Sequence, residues 1–137
     1  MPQLTGKKRP QFTNIHVAQI LGYRLPLAGI VSILHRISGA LLFLIGLPFL
    51  LYLFDNSLSS EISYETYRAV VSHWFAKLVL LVLVWGYLHH FCAGIRYLLL
   101  DLHIGLEKQQ SHNSAVSVMV VALVLTFLIG LKIFGVF

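Results

Sequence analysis

The chain contains a single cysteine, Cys92, among 137 residues. That count excludes an internal disulfide, a thiolate-bound metal cluster and the cysteine pair that attaches a c-type haem. It leaves Cys92 as a small apolar helix residue. Charge is equally scarce: 11% of residues are Asp, Glu, Lys or Arg, and only five of them are acidic. A chain so poor in charge does not suit a domain bathed in water. Of four prolines, Pro2, Pro10 and Pro26 fall within the first 26 residues. No glycine-rich phosphate loop, internal repeat, low-complexity tract or second domain is visible.

Apolar sequence dominates instead, with 58% hydrophobic residues and a mean hydropathy of +0.82. A helix needs about 20 apolar residues to cross roughly 30 Å of hydrocarbon. Three stretches meet that length, at about 27–54, 74–100 and 114–137. The expected fold is therefore an all-α membrane protein with three transmembrane helices over residues 27–137, preceded by an arm at residues 1–26. The first apolar run begins late, is long and lacks a small-residue cleavage site, so it reads as a retained span and not as a signal peptide.

Basic residues near the span ends set the expected orientation. Lys7, Lys8, Arg9 and Arg24 precede the first span without an acidic residue, whereas the first loop sets Arg68 against Asp55, Glu61 and Glu65. The N-terminus is then cytoplasmic and the C-terminus periplasmic, with Lys132 snorkelling to the far interface. The net charge of +5 is mainly this topology signal. A basic arm can also grip anionic lipid or a peripheral subunit. It lacks the interleaved aromatics of a nucleic-acid binder, so no nucleic acid is expected as a partner. The arm reads as carrying a short interfacial helix near Ile15–Tyr23. Within Asn56–Ser72 a second short helix is expected, capped by Ser63 with Glu65 and Thr66 in its first turn.

Ionisable groups inside the apolar runs point to function, because charge at membrane depth is costly. On the first span Ser32, His35, Arg36 and Gly39 recur at intervals of three and four and share one stripe. On the second, Gly86, His90, Ala93, Gly94 and Tyr97 share a face, which places an imidazole between small residues that admit a flat, wide group. Arg96 falls near the cytoplasmic boundary and His90 about 9 Å deeper, with Arg36 about 6 Å deeper than Ser32 on the first span. The two stripes meet at similar depth.

Neutral imidazole is a common axial ligand of haem iron, and ligation by two histidines yields an electron carrier that binds no oxygen. His90 and His35 are intramembrane, whereas His89 is rotated about 100° from His90. His16, His73, His103 and His112 lie at or beyond the interfaces, so the second ligand falls to another subunit. Arginine and histidine beside a haem bind its propionates, a role open to Arg36 and His35. A serine hydroxyl can bond a quinone carbonyl while a nearby cation stabilises the charge that develops, which suits Ser32 with Arg36. The residues alone leave other readings open. His90 can be a structural imidazole bonded to backbone, and Ser32 can bond the carbonyl four residues back. His89 reads as packing or an interface hydrogen bond.

Taken together, three elements resemble the cytochrome b membrane-anchor subunits of succinate dehydrogenase, respiratory complex II. These are Arg9-Pro10, the run Ser32-Ile33-Leu34-His35-Arg36-Ile37-Ser38-Gly39, and His90 to Arg96 followed by Asp101. The likeness extends over nearly the whole chain. It implies that His90 is an axial ligand of haem b, with the other ligand supplied by a second hydrophobic anchor subunit in a heterodimeric helical bundle. It maps Ser32 and Arg36 to the ubiquinone site, and His35 and Arg36 to the haem propionates. Asp101 and Glu107 correspond to residues that bring protons to the reduced quinone. Tyr97 departs from the pattern, since many relatives have histidine after the arginine. The implied partners are that second anchor subunit, an iron–sulfur subunit and a flavoprotein subunit in a bacterial inner membrane, with FAD and the clusters held by those partners. Two other readings compete: the anchor of a quinol:fumarate reductase, and a haem-free transporter or scaffold whose His and Arg form a proton relay or helix lock.

Overall fold

A backbone immersed in hydrocarbon must satisfy its own N–H and C=O groups, which the apolar runs of this chain achieve as helices. The computed structural model describes residues 16–136. Its helices are α1 (Val17–Gly22), α2 (Leu27–Leu41), α3 (Leu47–Leu58), α4 (Glu61–Ser72), α5 (Trp74–Asp101) and α6 (Lys108–Ile133), and a π-helical turn at Leu42–Gly46 joins α2 to α3. No strand occurs among the described residues. Three helical segments are long and apolar enough to cross a membrane: Leu27–Leu58, Trp74–Asp101 and Lys108–Ile133. Lys7, Lys8, Arg9 and Pro10, which bear on the orientation and the arm, lie outside the described residues.

Three boundaries differ from those read in the sequence. The first span continues to Leu58, and the π turn lies just ahead of Pro48. Proline at 48 has no N–H for the carbonyl of residue 44 and crowds it, a conflict that an extra residue per turn relieves. The third span starts at Lys108 and not at 114. Its polar first turns close on themselves, as Ser117 donates to the Asn113 carbonyl and Gln109 to the Asn113 side chain. Helix α4 is capped by Ser60 and not by Ser63. The Ser63 N–H donates to Ser60 Oγ at 3.1 Å while the Ser60 N–H donates to Ser63 Oγ at 2.9 Å. This reciprocal box satisfies two otherwise unpaired donors and fixes the start one turn earlier.

Helix α5 packs against both α2 and α6, and α2 also meets α6. The core where all three converge is built from Val31 of α2, Ala93 of α5, and Ala115 and Val118 of α6. Small residues set these crossings, because close backbone approach drives association between helices when lipid is as apolar as the side chains. At Gly86 a Cβ would lie 3.3 Å from Leu41 Cδ2. The outward faces are apolar, with Phe43, Leu44 and Phe127 well exposed, as befits a surface solvated by hydrocarbon.

Candidate functional site

The π turn and the α2–α5 crossing place the motif of the first span against that of the second. The rings of His35 and His90 stack, with centroids 4.1 Å apart and planes 9° from parallel. His90 Nδ1 lies 3.1 Å from the backbone oxygen of His35 and 3.4 Å from Ser38 Oγ. A carbonyl oxygen only accepts, so this contact assigns the proton to Nδ1. The Nε2 lone pair is then directed away, and Nε2 has no hydrogen-bond partner among the described residues. Ser38 is fully buried, and its hydroxyl donates to the same His35 carbonyl at 3.0 Å.

Glycine at 39 makes room for this ring. A Cβ there would sit 2.9 Å from His90 Cε1 and 3.3 Å from Nδ1. Because the imidazole is pinned by the His35 carbonyl, it cannot swing aside without losing that bond. Gly39→Val is accordingly expected to displace His90 while the helices still assemble. The measurement is the unfolding free energy in detergent, which should fall by about 1–3 kcal/mol, the scale of overpacking a tight contact.

Ser32 and Arg36 lie one turn apart on α2. Ser32 is half-buried and its hydroxyl makes no hydrogen bond among the described residues, so it does not bond back to the carbonyl four residues earlier. Arg36 is exposed and forms no ion pair among these residues. Asp101 ends α5 and Glu107 stands immediately before α6, both exposed. The linker between them turns through left-handed backbone at His103 (φ 62°) and Gly105 (φ 83°). The structure thus brings His35, His90 and Gly39 together, places Ser32 and Arg36 on the same helix, and sets the two carboxylates on the connection from α5 to α6.

Sequence reasoning overlooked two features and left a third, at His89, open between two readings. Ser38 is a contact of His90, visible in hindsight from its place beside Gly39. Arg96 is only 5% exposed: its Nε donates to Ser114 Oγ at 3.0 Å, and its Nη2 donates to Ser111 Oγ at 2.9 Å and the Ser111 carbonyl at 3.3 Å. Of the two serines, Ser111 lies ahead of the expected span start at 114 and so escapes notice as a partner, whereas Ser114 falls within that span. His89 is completely buried, stacks on Trp85 at 5.5 Å and has no partner for either ring nitrogen. It packs without bonding, whereas the sequence left an interface hydrogen bond open.

Tyr97 packs at the edge of the small-residue core, 5.1 Å from the His35 ring. Its hydroxyl is buried and unpartnered. Removing a buried hydroxyl that bonds to nothing removes a desolvation cost, so Tyr97→Phe is expected to leave thermal stability unchanged or raise it by about 1 kcal/mol. A clear drop in melting temperature would show that the hydroxyl has a partner.

A family model described as the succinate dehydrogenase/fumarate reductase transmembrane subunit matches residues 7–129. The chain belongs to that family. It is 34% identical over 128 residues to the succinate dehydrogenase cytochrome b556 subunit of Paracoccus denitrificans, an alignment covering 93% of this chain and 94% of that one. Against the subunit of the same description from Coxiella burnetii it is 33% identical over 112 residues, covering 81% and 89% of the two chains. The description of the family as a transmembrane subunit agrees with the three candidate spans, which fit a multi-pass membrane protein. Among the described residues no three His, Cys, Asp or Glu side chains converge on a common point. A porphyrin iron makes no such demand, since the macrocycle supplies most of its ligands and a chain need give only one.

Proposed function

We propose that this chain is the cytochrome b membrane anchor of a succinate dehydrogenase, holding haem b jointly with a second anchor subunit and forming part of a ubiquinone-reduction site. The observation that carries the reading is His90, whose Nδ1 is committed to the His35 carbonyl at 3.1 Å and whose ring lies over the space that Gly39 leaves open. A ligating histidine characteristically donates its other ring N–H to an acceptor that fixes its tautomer and orientation. The residues present therefore fit a haem: His90 would hold the iron, and His35 and Arg36 the propionates. When bound, haem b supplies one-electron storage at membrane depth.

The remaining steps belong to side chains of this chain. Ser32, whose hydroxyl is unengaged, orients a quinone by donating to one carbonyl oxygen. Arg36, about 6 Å further along the same stripe, stabilises negative charge as the ring is reduced. Asp101 and Glu107, at the two ends of the short linker, carry protons from the aqueous phase toward the reduced ring. Succinate is oxidised elsewhere, on a flavoprotein subunit, and an iron–sulfur subunit delivers the electrons. In this reading the α5–α6 linker is cytoplasmic, the C-terminus is periplasmic, and the membrane is a bacterial inner membrane. The succinate-oxidising direction is supported by the descriptions of the two relatives.

Assembly tests the reading directly. Purification through a tag on this chain in mild detergent is expected to bring down a flavoprotein with covalent or tightly bound FAD, an iron–sulfur protein and a second small hydrophobic subunit. Recovery of this chain alone, from membranes in which it is fully folded, would contradict it.

A further inference from the structure

Arg96 is a charge in an unusual setting. It is only 5% exposed and lies within an apolar span. Guanidinium stays protonated even when buried. None of the five Asp and Glu residues of the chain neutralises it: the one ion pair among the described residues joins Glu65 to Arg68 on α4. Its hydrogen bonds among the described residues are all to neutral groups, the hydroxyls of Ser111 and Ser114 and the Ser111 carbonyl. The face of Tyr97 also lies 5.5 Å from the guanidinium carbon. Because so little of the residue is accessible, a carboxylate from outside the chain has scant room to pair with it. The bundle interior therefore carries one full positive charge.

Neutral donors and acceptors make this charge tolerable without cancelling its field, and low surrounding polarity lets the field reach further than in water. Along α5, Arg96 is six residues from His90, about 9 Å of axial rise. At a separation on the order of 10 Å and an effective dielectric of about 20, a unit charge shifts an equilibrium that adds one electron by roughly tenfold.

We propose that Arg96 is an electrostatic positioning residue whose unneutralised charge favours the reduced form of a haem ligated by His90. The inference rests on the haem reading above and assigns Arg96 a role separate from ligand, propionate and quinone contacts. It also accounts for the early start of α6, since the polar turns from Lys108 supply the serines that hold the guanidinium in place.

The test is a potentiometric titration of the haem absorbance in the intact purified complex. Arg96→Gln is expected to lower the reduction equilibrium constant about tenfold, or about 59 mV for one electron, with haem content unchanged. Arg96→Lys, which keeps the charge, is expected to stay close to the parent. Should Arg96→Gln fail to assemble, Ser114→Asp keeps the link to α6 while neutralising the charge, and it should shift the potential the same way, whereas Ser114→Asn should not. Haem present at an unchanged potential in Arg96→Gln, or in Ser114→Asp, would overturn the proposal and leave Arg96 as a tie between spans. Absence of haem from the parent complex would overturn the functional reading itself, and this proposal with it.

Discussion

Replacing His90 with leucine is expected to abolish haem incorporation. The imidazole is the only intramembrane nitrogen of α5 with one side committed to a backbone acceptor and the other unengaged: His89, its neighbour, is enclosed by the bundle on all sides. Leucine fills a similar volume beside Gly39 without offering a lone pair, so the helices should still pack while the nitrogen proposed to hold the iron is gone. Loss of a ligand exceeds the roughly 10–100-fold effects of disturbing its orientation. Haem per complex, measured by the pyridine haemochrome spectrum, should fall below about a tenth of the parent value. Unchanged haem would move the ligand to another residue, and His35, stacked against His90 at 4.1 Å, would be the next to replace.

Arg36→Leu is expected to remove quinone reduction while sparing succinate oxidation. Arg36 is exposed and unpaired within the described chain, so its loss leaves no buried partner stranded and costs the fold little. A donor aimed at developing charge is worth about a hundredfold or more in turnover. Succinate-driven reduction of a soluble ubiquinone analogue should fall by about that factor, whereas electron transfer to an artificial dye that accepts upstream of the membrane should remain within about twofold. Equal loss of both rates would show that Arg36 supports assembly and not the quinone step.

The three spans were legible in the sequence because hydrocarbon imposes a length and a composition that survive any detail of packing. The approach of the two motifs was also legible, since helical periodicity puts Gly39 and His90 on defined faces and the span centres fix their depth. What stayed hidden depends on local competition. Ser60 outranked Ser63 as a cap only because the two side chains could bond reciprocally. The π turn before Pro48 is one of several ways to relieve a proline conflict. The polar opening of α6 looked like loop because Lys, Gln, Asn and Ser mark chain reversals as often as helix ends. Placing that opening in the helix is what adds Ser111 to Ser114 as a partner of Arg96, so the later start hid one of the two serines that hold the most buried cation of the described chain.

On the proposed function, this chain shares in a haem site that succinate can reduce. The most direct measurement is the visible difference spectrum of the purified complex, recorded after adding succinate against the oxidised sample. The expected result is the bands of a reduced b-type haem, suppressed when an inhibitor of succinate oxidation is present and lost in His90→Leu. A complex that contains no haem, or whose haem is untouched by succinate and retained in full by His90→Leu, would contradict it.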